Sequence, residues 1–305
     1  MKTPQLPCPR LAAAIGVSEI YLKREDLDHF GSHKGRSIPF MIETYEKKQG
    51  LKNFVISSSG NAALAAIIMI QNHNENNPDN RLKLTVLVGK KISAEKFNHL
   101  SALAKGDLNI TIIQTDRPKQ EAFRMDKSGE AKFLRQSTDD LALVGYFELA
   151  KELAHIPNLR AVFIPTSSGT TAQALGEEFQ KLKLPIQIHI VQTTACHPIA
   201  SSFPLTENAV GLKTASPNDK TSIAGAIVDK IAHRKEKVLA AIMASHGGAW
   251  IADNEEIRTA MKITHENADD LKISTNSALA VAGLIKAVKN GWQWDGPVAC
   301  LITGK

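Results

Sequence analysis

Short apolar runs alternate with helical patterns along most of the sequence, and a polar turn separates many of these runs from the helix that follows. This alternation predicts an α/β fold with a mainly parallel sheet, because parallel neighbours need a crossover that a helix usually supplies. Asp253 and Glu256 have the spacing of a capping box, which predicts a further helix start. The predicted strands are 54–56, 84–88, 110–113, 161–164, 186–191 and 298–302, and the predicted helices are 37–47, 93–105, 172–182 and 277–289.

Composition excludes several other kinds of protein. Of the 305 residues, 43% are hydrophobic and 22% are charged, so the chain has enough apolar surface to form a core. At about 150 residues per domain, this length favours two domains or one large domain. The most apolar stretch, 62–70, has about half of the roughly 20 residues that a membrane-spanning helix needs, so no membrane partner is predicted.

The charge distribution argues against a nucleic-acid partner. The chain has 37 basic and 31 acidic residues, a net charge of +6 and only 5% aromatic residues, and the basic excess is spread along the sequence. A nucleic-acid-binding protein would show a basic stripe with interleaved aromatic residues. The mild positive charge fits an anionic small molecule instead.

The cysteines and the N-terminus indicate the compartment. Cys8, Cys196 and Cys300 are far apart and form no CxxC pair, so neither a disulfide framework nor a zinc site is predicted. We expect no metal site. The first residues lack the apolar stretch of a secretory signal, and a cytoplasmic location is therefore predicted.

Three strand-to-helix turns carry polar residues that could do chemistry. The clearest runs from Pro165 to Thr171 and contains Gly169. Backbone N–H groups at a helix N-terminus bind anions, and glycine lets the backbone approach a ligand closely. The turn therefore predicts either a phosphate site or a simple capped helix, and it has neither P-loop nor dinucleotide-binding spacing. The hydroxyls that would add donors are those of Ser167, Ser168, Thr170 and Thr171.

The other two turns lie earlier in the chain. The turn 57–61 combines serine hydroxyls with an asparagine amide, which suits a carboxylate, although Ser59 or Asn61 could instead cap the helix that follows. The turn 28–36 brings Lys34 to the start of a helix, close to His33 and Arg36. A lysine in this position is either a solvated surface residue or a nucleophile.

Together the three turns resemble the fold type II, or tryptophan synthase β-like, family of pyridoxal-phosphate-dependent enzymes. In that family a Gly-Ser-x-Lys segment follows a Lys-x-Glu strand and carries the Schiff-base lysine. The order of the motifs along the chain also matches. The segments that resemble the family's motifs are 23–25, 31–34, 58–61, 145–149, 167–171 and 274–280.

The resemblance implies a role for each matching residue. The cofactor would be pyridoxal 5'-phosphate, and Lys34 would bind it covalently and later move the Cα proton of the substrate. Asn61 would contact the 3'-oxygen of the cofactor. A hydroxyl would face the pyridine nitrogen, for which Thr303 is favoured and Thr275 is second. The substrate carboxylate would be held by Ser58, Ser59 and Gly60, and the cofactor phosphate by Ser167, Ser168, Gly169, Thr170 and Thr171.

The resemblance also implies an architecture of two three-layer α/β lobes with parallel-rich sheets and the cofactor between them. Residues 1–50 and 150–305 would form the larger, cofactor-binding lobe. Residues 51–149 would form a smaller inserted lobe with the Ser-Gly-Asn substrate loop. The partners would be a small amino-acid substrate and a second copy of the chain in a homodimer. No regulatory domain is expected after Lys305.

Within the family, the implied reaction is a β- or γ-elimination or replacement on a small amino acid, with threonine-synthase-like chemistry as the best match. Sulfhydrylase and serine or threonine dehydratase chemistry remain alternatives. Gly35 follows the lysine where threonine synthases and dehydratases usually have Asp, and the phosphate loop is more similar to the Gly-Thr-type loops of sulfhydrylases. His33 resembles tryptophan synthase β instead. A relative that binds the cofactor or a partner without catalysis is the alternative of another class, although the intact Lys34 argues against it. A nucleotide-binding domain is disfavoured because no fingerprint is present.

Overall fold

The computed structural model describes residues 2–203 and 221–304, and the account below refers to these parts of the chain. They form ten strands and ten α-helices. The strands are β1 (Gln5–Pro7), β2 (Ile20–Arg24), β3 (Asn53–Ser57), β4 (Lys83–Gly89), β5 (Ile110–Thr115), β6 (Lys132–Phe133), β7 (Ala161–Pro165), β8 (Gln187–Thr193), β9 (Gly248–Ala252) and β10 (Val298–Ile302). The helices are α1 (Pro9–Ile15), α2 (Lys34–Gln49), α3 (Asn61–Asn76), α4 (Ala94–Ala104), α5 (Pro118–Lys127), α6 (Leu141–Leu153), α7 (Thr170–Lys181), α8 (Lys235–Ala244), α9 (Asn254–Asn267) and α10 (Thr275–Lys289).

The chain divides into two compact units, each built on its own sheet. Unit 1 comprises residues 1–28 and 146–305, and unit 2 comprises residues 29–145. This division assigns Lys34 and the turn 58–61 to the same unit, whereas the sequence analysis put residue 34 in the larger lobe. The α/β class with parallel-rich sheets, predicted from the sequence, is confirmed.

The sheet of unit 1 has six strands in the order β1-β2-β10-β7-β8-β9. β1 is antiparallel to β2, and the other neighbouring pairs are parallel. Every residue of β9 and β10 is buried, as expected for a parallel sheet that is covered on both faces. On one face, α10 packs closely against β8, because a Cβ atom on Gly283 would lie only 2.3 Å from Cγ2 of Val191.

The sheet of unit 2 has four parallel strands in the order β5-β4-β3-β6. The helices α2 and α3 share its core, in which Ile38 and Met41 of α2 are buried in one cluster with Phe54 of β3. Only residues 50–52 connect α2 to β3. A connection this short makes the helix and the strand run in opposite directions, so the N-terminus of α2 lies at the carboxyl end of the sheet.

A buried charged cluster fixes the first residues of unit 1. Lys23 of β2 is fully buried, and its Nζ pairs with the carboxylate of Glu152 and donates a hydrogen bond of 2.8 Å to the carbonyl oxygen of Thr3. The backbone N–H of Thr3 also donates to Glu152 at 3.3 Å, and the Thr3 hydroxyl donates to Glu25. Buried charges are stable when they are paired and hydrogen-bonded, as they are here.

A second buried cluster surrounds His189, which is a hydrogen-bonded core residue. Its ring stacks on Phe163 with 4.5 Å between ring centroids, and the indole N–H of Trp250 donates to its Nδ1 at 3.1 Å. The proton therefore lies on Nε2, which donates to Oε1 of Gln187 at 3.1 Å. Burial lowers the pKa of His189 from 6.5 to about 3, so the ring stays neutral. The remaining aromatic rings of this cluster are those of Trp292 and Trp294.

Among the helices of the described residues, none has both the length and the apolar character needed to cross a bilayer.

Candidate active site

Lys34 is the first residue of α2, and its amine has no partner in the part of the chain that the structure describes. The side chain is half-buried, and it makes no hydrogen bond or ion pair with any described residue. The turn before it contains Gly31 at a φ of +75°, a conformation that glycine adopts without strain. A half-buried primary amine without a counter-charge is available to react with a ligand.

Helix α6 holds the first turn of α2 in place. A Cβ atom on Gly145 would lie 2.5 Å from the carbonyl oxygen of Arg36 and 2.6 Å from Cα of Ser37. The hydroxyl of Ser37 donates to the carbonyl oxygen of Ala142 at 3.0 Å. The segment 145–149, which resembles a family motif, thus includes the glycine that permits this close contact two residues after Lys34.

Ser32 carries a buried polar atom that no described residue satisfies. The residue is completely buried, and its hydroxyl oxygen has no hydrogen-bond partner among the described residues. An unsatisfied buried hydroxyl costs roughly 1–3 kcal/mol, so such groups usually have a ligand or water as partner. Ser32 lies two residues before Lys34, and the sequence analysis missed it as a separate candidate.

The turn 57–61 connects β3 to α3 at the carboxyl end of the unit 2 sheet. The N-cap of α3 is Gly60, with no capping hydrogen bond from a side chain, so the alternative that Ser59 or Asn61 caps this helix is wrong. The Ser58 hydroxyl accepts a hydrogen bond of 3.3 Å from the N–H of Gly60. Within the described residues, the half-buried side chains of Ser59 and Asn61 make no hydrogen bonds.

In unit 1, the turn 166–169 connects β7 to α7 and is closely packed. Gly169 is the N-cap of α7 at a φ of +90°, and a Cβ atom there would lie 2.6 Å from Cγ2 of Val238 and 3.3 Å from Cδ1 of Ile199. The carbonyl oxygen of Thr166 accepts a hydrogen bond of 3.2 Å from the side chain of Gln192. The backbone N–H groups at the start of α7 therefore sit on a fixed frame, as an anion site requires.

The hydroxyls of this turn have different partners. Ser167 Oγ donates to the carboxylate of Asp229 at 2.9 Å, and Ser168 Oγ lies 3.0 Å from the hydroxyl of Thr170. One turn into α7, the side chain of Gln173 accepts a hydrogen bond of 3.0 Å from the buried guanidinium of Arg234. The roles of Gln173, Arg234 and Asp229 could not be predicted from the sequence, because they depend on contacts between residues that are far apart in the chain.

A group of hydroxyls follows β10 at the carboxyl end of the same sheet. Thr303 is buried, and its Oγ1 lies 3.4 Å from the hydroxyl of Ser277. The carbonyl oxygen of Gly304 accepts hydrogen bonds from Ser277 at 2.9 Å and from Ser274 at 2.7 Å. Thr275, by contrast, donates its hydroxyl to the carbonyl oxygen of Ile223 at 2.9 Å.

Within each unit, the predicted residues come together. In unit 1, β7 and β10 are paired neighbours, so the turn 166–169 and Thr303 lie at the same edge of one sheet. In unit 2, Lys34 and the turn 57–61 lie at the carboxyl end of the other sheet. The carboxyl ends of parallel strands are where α/β proteins bind their ligands. Across residues 2–203 and 221–304, no cluster of three or more His, Cys, Asp or Glu side chains is arranged to hold a metal ion.

Comparisons with known proteins agree with this arrangement. The family model described as "Pyridoxal-phosphate dependent enzyme" matches residues 1–304. The chain is 27% identical to a threonine synthase of Methanosarcina acetivorans over 99% of its own length and 74% of that protein. It is 23% identical to a biosynthetic L-threonine dehydratase of Haemophilus influenzae over 94% of its length, but spans only 53% of that protein.

Solved structures share the fold at lower identity. Maize serine racemase superimposes with a TM-score of 0.80 at 16% identity, covering 100% of this chain and 88% of the racemase. The processed threonine deaminase isoform 2 of Solanum lycopersicum gives a TM-score of 0.76 at 19% identity, covering 100% of this chain and 79% of that one. The family, fold class and cofactor predicted from the sequence are thereby confirmed: the chain belongs to the fold type II pyridoxal-phosphate-dependent enzymes of amino-acid metabolism.

Proposed function

We propose that this enzyme removes the α-proton of a small amino acid and then eliminates or replaces a group on its β- or γ-carbon. The observation that carries the proposal is the amine of Lys34, half-buried and without a partner in the described residues, at the start of α2. In a pyridoxal-phosphate-dependent enzyme, such an amine is a candidate both for covalent attachment of the cofactor and for proton transfer.

Three observations support the fit between these residues and pyridoxal phosphate. Lys34 offers a primary amine, which an aldehyde requires, and this amine has no partner within residues 2–203 and 221–304. The buried hydroxyl of Ser32 lacks a partner among the described residues, as expected for a group that bonds to a ligand. At Gly169, the positive φ and the close packing leave no room for a side chain. The backbone N–H groups that follow, at the N-terminus of α7, are donors suited to a phosphate.

In unit 2 we assign residues to the reacting end of the site. Lys34 Nζ would accept the α-proton and later return a proton to the product. The hydroxyls of Ser58 and Ser59, with the first N–H groups of α3, would bind the substrate carboxylate. The N–H of Gly60 would join them by giving up its 3.3 Å hydrogen bond to Ser58. Asn61 would donate its side-chain amide to the 3'-oxygen of the cofactor. The absence of hydrogen bonds at Ser59 and Asn61 within the described residues supports these roles.

In unit 1 we assign residues to the phosphate and to the ring. Gly169 and the hydroxyls of Ser168, Thr170 and Thr171, with the first N–H groups of α7, would bind the phosphate. Thr303 would face the pyridine nitrogen. Its hydroxyl lies 3.4 Å from the hydroxyl of Ser277, whereas the hydroxyl of Thr275 already donates to a carbonyl group, which supports Thr303 over Thr275. Bound pyridoxal phosphate supplies an electron sink for the charge left on the α-carbon. A neutral hydroxyl at the ring nitrogen favours elimination and replacement over transamination.

The specific reaction that we favour is that of a threonine synthase. It uses water to convert O-phosphohomoserine to threonine, with release of phosphate from the γ-carbon. The support is the 27% identity to a threonine synthase over 99% of the chain. Serine or threonine dehydration is the second candidate, because threonine dehydratases at 23% identity also match nearly the whole chain.

The first experiment tests Lys34. The purified enzyme should be yellow, and reduction with borohydride should fix the colour on the peptide that contains Lys34. Lys34→Ala should abolish this label, whereas Lys48→Ala, an exposed lysine on the same helix, should keep it. A colourless wild-type protein whose spectrum ignores added cofactor would refute the proposed chemistry.

The second experiment identifies the reaction. Purified enzyme is incubated separately with O-phosphohomoserine, with serine or threonine, and with O-acetylserine plus sulfide. Release of phosphate together with threonine supports our proposal. Release of ammonia and a 2-oxo acid would instead establish a dehydratase, and formation of cysteine a sulfhydrylase. A spectral shift without any product would favour a relative that binds without catalysis.

We also propose a homodimer, suggested by the family resemblance, and a cytoplasmic location, suggested by the scattered cysteines. Light scattering should then give a molar mass of twice the 33.1 kDa of the single chain. A mass of one chain at micromolar concentration would contradict the dimer.

A further inference from the structure

Ser167 differs from the other hydroxyls of the 166–169 turn because its hydrogen-bonding capacity is used up within the protein. Its Oγ donates to the carboxylate of Asp229 at 2.9 Å. The same oxygen accepts hydrogen bonds of 3.2 Å from the backbone N–H of Val228 and of 3.2 Å from that of Asp229. A serine hydroxyl has one hydrogen to donate and two lone pairs, and all three are engaged here.

This arrangement leaves no side-chain donor at Ser167 for an anion. A phosphate could take a hydrogen bond from the Ser167 hydroxyl only if the contact with Asp229 broke. That contact has a charged acceptor, which makes it stronger than a hydrogen bond between neutral groups. The role of Ser167 as a phosphate ligand, which the resemblance implied, therefore conflicts with the bonds it already makes.

The segment that contacts Ser167 holds α7 at a second point. Five residues after Asp229, the buried guanidinium of Arg234 donates to Gln173 in the first turns of α7. Val238, in the helix that follows, packs against Gly169 so closely that a Cβ atom there would lie 2.6 Å away. Residues 228–238 thus contact the turn before α7, its N-cap and its first turns.

We propose that the contact between Ser167 and Asp229 fixes the 166–169 turn in the conformation that binds the cofactor phosphate. Asp229 is then a positioning residue, and Ser167 acts through Asp229 rather than as a phosphate ligand. This inference rests on the proposed phosphate site. Without the contact, the turn would lose its orientation in the free protein, and part of the binding free energy would be spent on ordering it.

The test is a double-mutant cycle measured on binding. Apo-protein is prepared for Ser167→Ala, Asp229→Ala and the double variant, and the dissociation constant of pyridoxal phosphate is measured by equilibrium dialysis. Competition by inorganic phosphate gives a second value that does not involve Lys34. Each single variant should weaken both affinities by about tenfold, the size of one hydrogen bond to a charged group, and the double variant should be no weaker than either.

Two further variants separate positioning from direct binding. Asp229→Asn keeps an acceptor oxygen for Ser167 but removes a negative charge, so its affinity should stay within about threefold of wild type or become tighter. Ser168→Ala should weaken binding independently, so its effect should add to that of Asp229→Ala. Unimpaired binding by Asp229→Ala, or additive effects of Ser167→Ala and Asp229→Ala, would overturn the inference and show that Ser167 binds the phosphate directly.

The inference and the proposed function fail in different ways. If the wild-type protein binds no pyridoxal phosphate, the proposed function fails, and the cycle is then read from inorganic phosphate binding and from urea unfolding of the same variants. Coupling between residues 167 and 229 in those measurements supports the positioning role, and its absence overturns it. If Asp229→Ala fails to fold, the cycle uses Asp229→Ser, whose shorter side chain removes the acceptor from Ser167, with the same expected loss.

Discussion

Replacing Gly169 by alanine tests the tight packing at the start of α7. The substitution has two costs. An L-residue at a φ of +90° is strained by about 1–2 kcal/mol. The new methyl group would lie 2.6 Å from Cγ2 of Val238 and 3.3 Å from Cδ1 of Ile199, and overpacking of this kind costs about 1–3 kcal/mol. The expected loss in the free energy of unfolding is therefore about 2–5 kcal/mol.

Gly16 offers a matched control in the same unit. Its φ is +89°, and a Cβ atom there would meet nothing within 4 Å. Gly16→Ala should therefore cost only the backbone strain, about 1–2 kcal/mol. The difference between the two variants isolates the contact with Val238 and Ile199. Val238→Ala should lower the free energy of unfolding less in the Gly169→Ala background than in the wild type, because the smaller side chain relieves the overlap. The difference should be at least about 1 kcal/mol.

The assay is urea unfolding followed by tryptophan fluorescence. The chain has 3 tryptophans, and Trp250, Trp292 and Trp294 all belong to unit 1, so their emission reports on the unit that contains Gly169. Binding of pyridoxal phosphate to the apo-protein is measured on the same variants and should weaken for Gly169→Ala but not for Gly16→Ala. Equal losses of stability for Gly169→Ala and Gly16→Ala, without rescue by Val238→Ala, would refute the packing argument.

Three further predictions concern stability. Lys23→Met should lower the free energy of unfolding in urea by about 3–5 kcal/mol, because it leaves the Glu152 carboxylate buried without the Lys23 ammonium, and adding Glu152→Gln should recover part of the loss. A loss below about 1 kcal/mol would contradict the pairing. The pKa of His189 falls to about 3 on folding, so its contribution to the free energy of unfolding is complete above pH 6.5 and is lost as the pH falls below that value. The free energy of unfolding should drop on the order of 1–2 kcal/mol from pH 6.5 to 5, and His189→Gln should remove this drop. Asp253→Ala should cost about 1 kcal/mol through the lost cap on α9 whereas Asp253→Asn should cost less, and equal costs would count against the capping box.

The sequence predicts the elements of the fold well because they depend on local patterns. The capping box of α9 is present in both directions, with hydrogen bonds of 2.8 Å to the Asp253 side chain and 2.9 Å to the Glu256 side chain. Three of the predicted helix starts are too late, however. α2 begins at Lys34 rather than at residue 37, α7 at Thr170 rather than 172, and α10 at Thr275 rather than 277. Ser, Thr and Gly look like loop residues in a sequence, yet they are common in and just before the first helical turn.

The same effect explains what the sequence could reveal about the site. Its motifs lie at turns between a strand and a helix, where local residue types determine the chemistry. Local residue types do not predict the partners of these residues, because the partners are distant in the sequence. Asp229 follows Ser167 by 62 positions, and Glu152 follows Lys23 by 129 positions. Such pairs depend on how the strands are ordered in the sheet, which no local pattern encodes. The hydroxyl of Ser32, which lacks a partner among the described residues, could not be predicted either, because burial depends on the whole fold.

The position of Thr303 directly after β10 has a consequence for how still its hydroxyl is held. β10 is hydrogen-bonded to β2 on one side and to β7 on the other, and each of its residues is buried. Amide protons in a strand of this kind exchange with solvent only when the whole sheet opens, so they should be among the slowest in hydrogen–deuterium exchange. The proposed partner of the ring nitrogen is thus attached to an inner strand of the unit 1 sheet, and local fluctuations of loops cannot easily displace it.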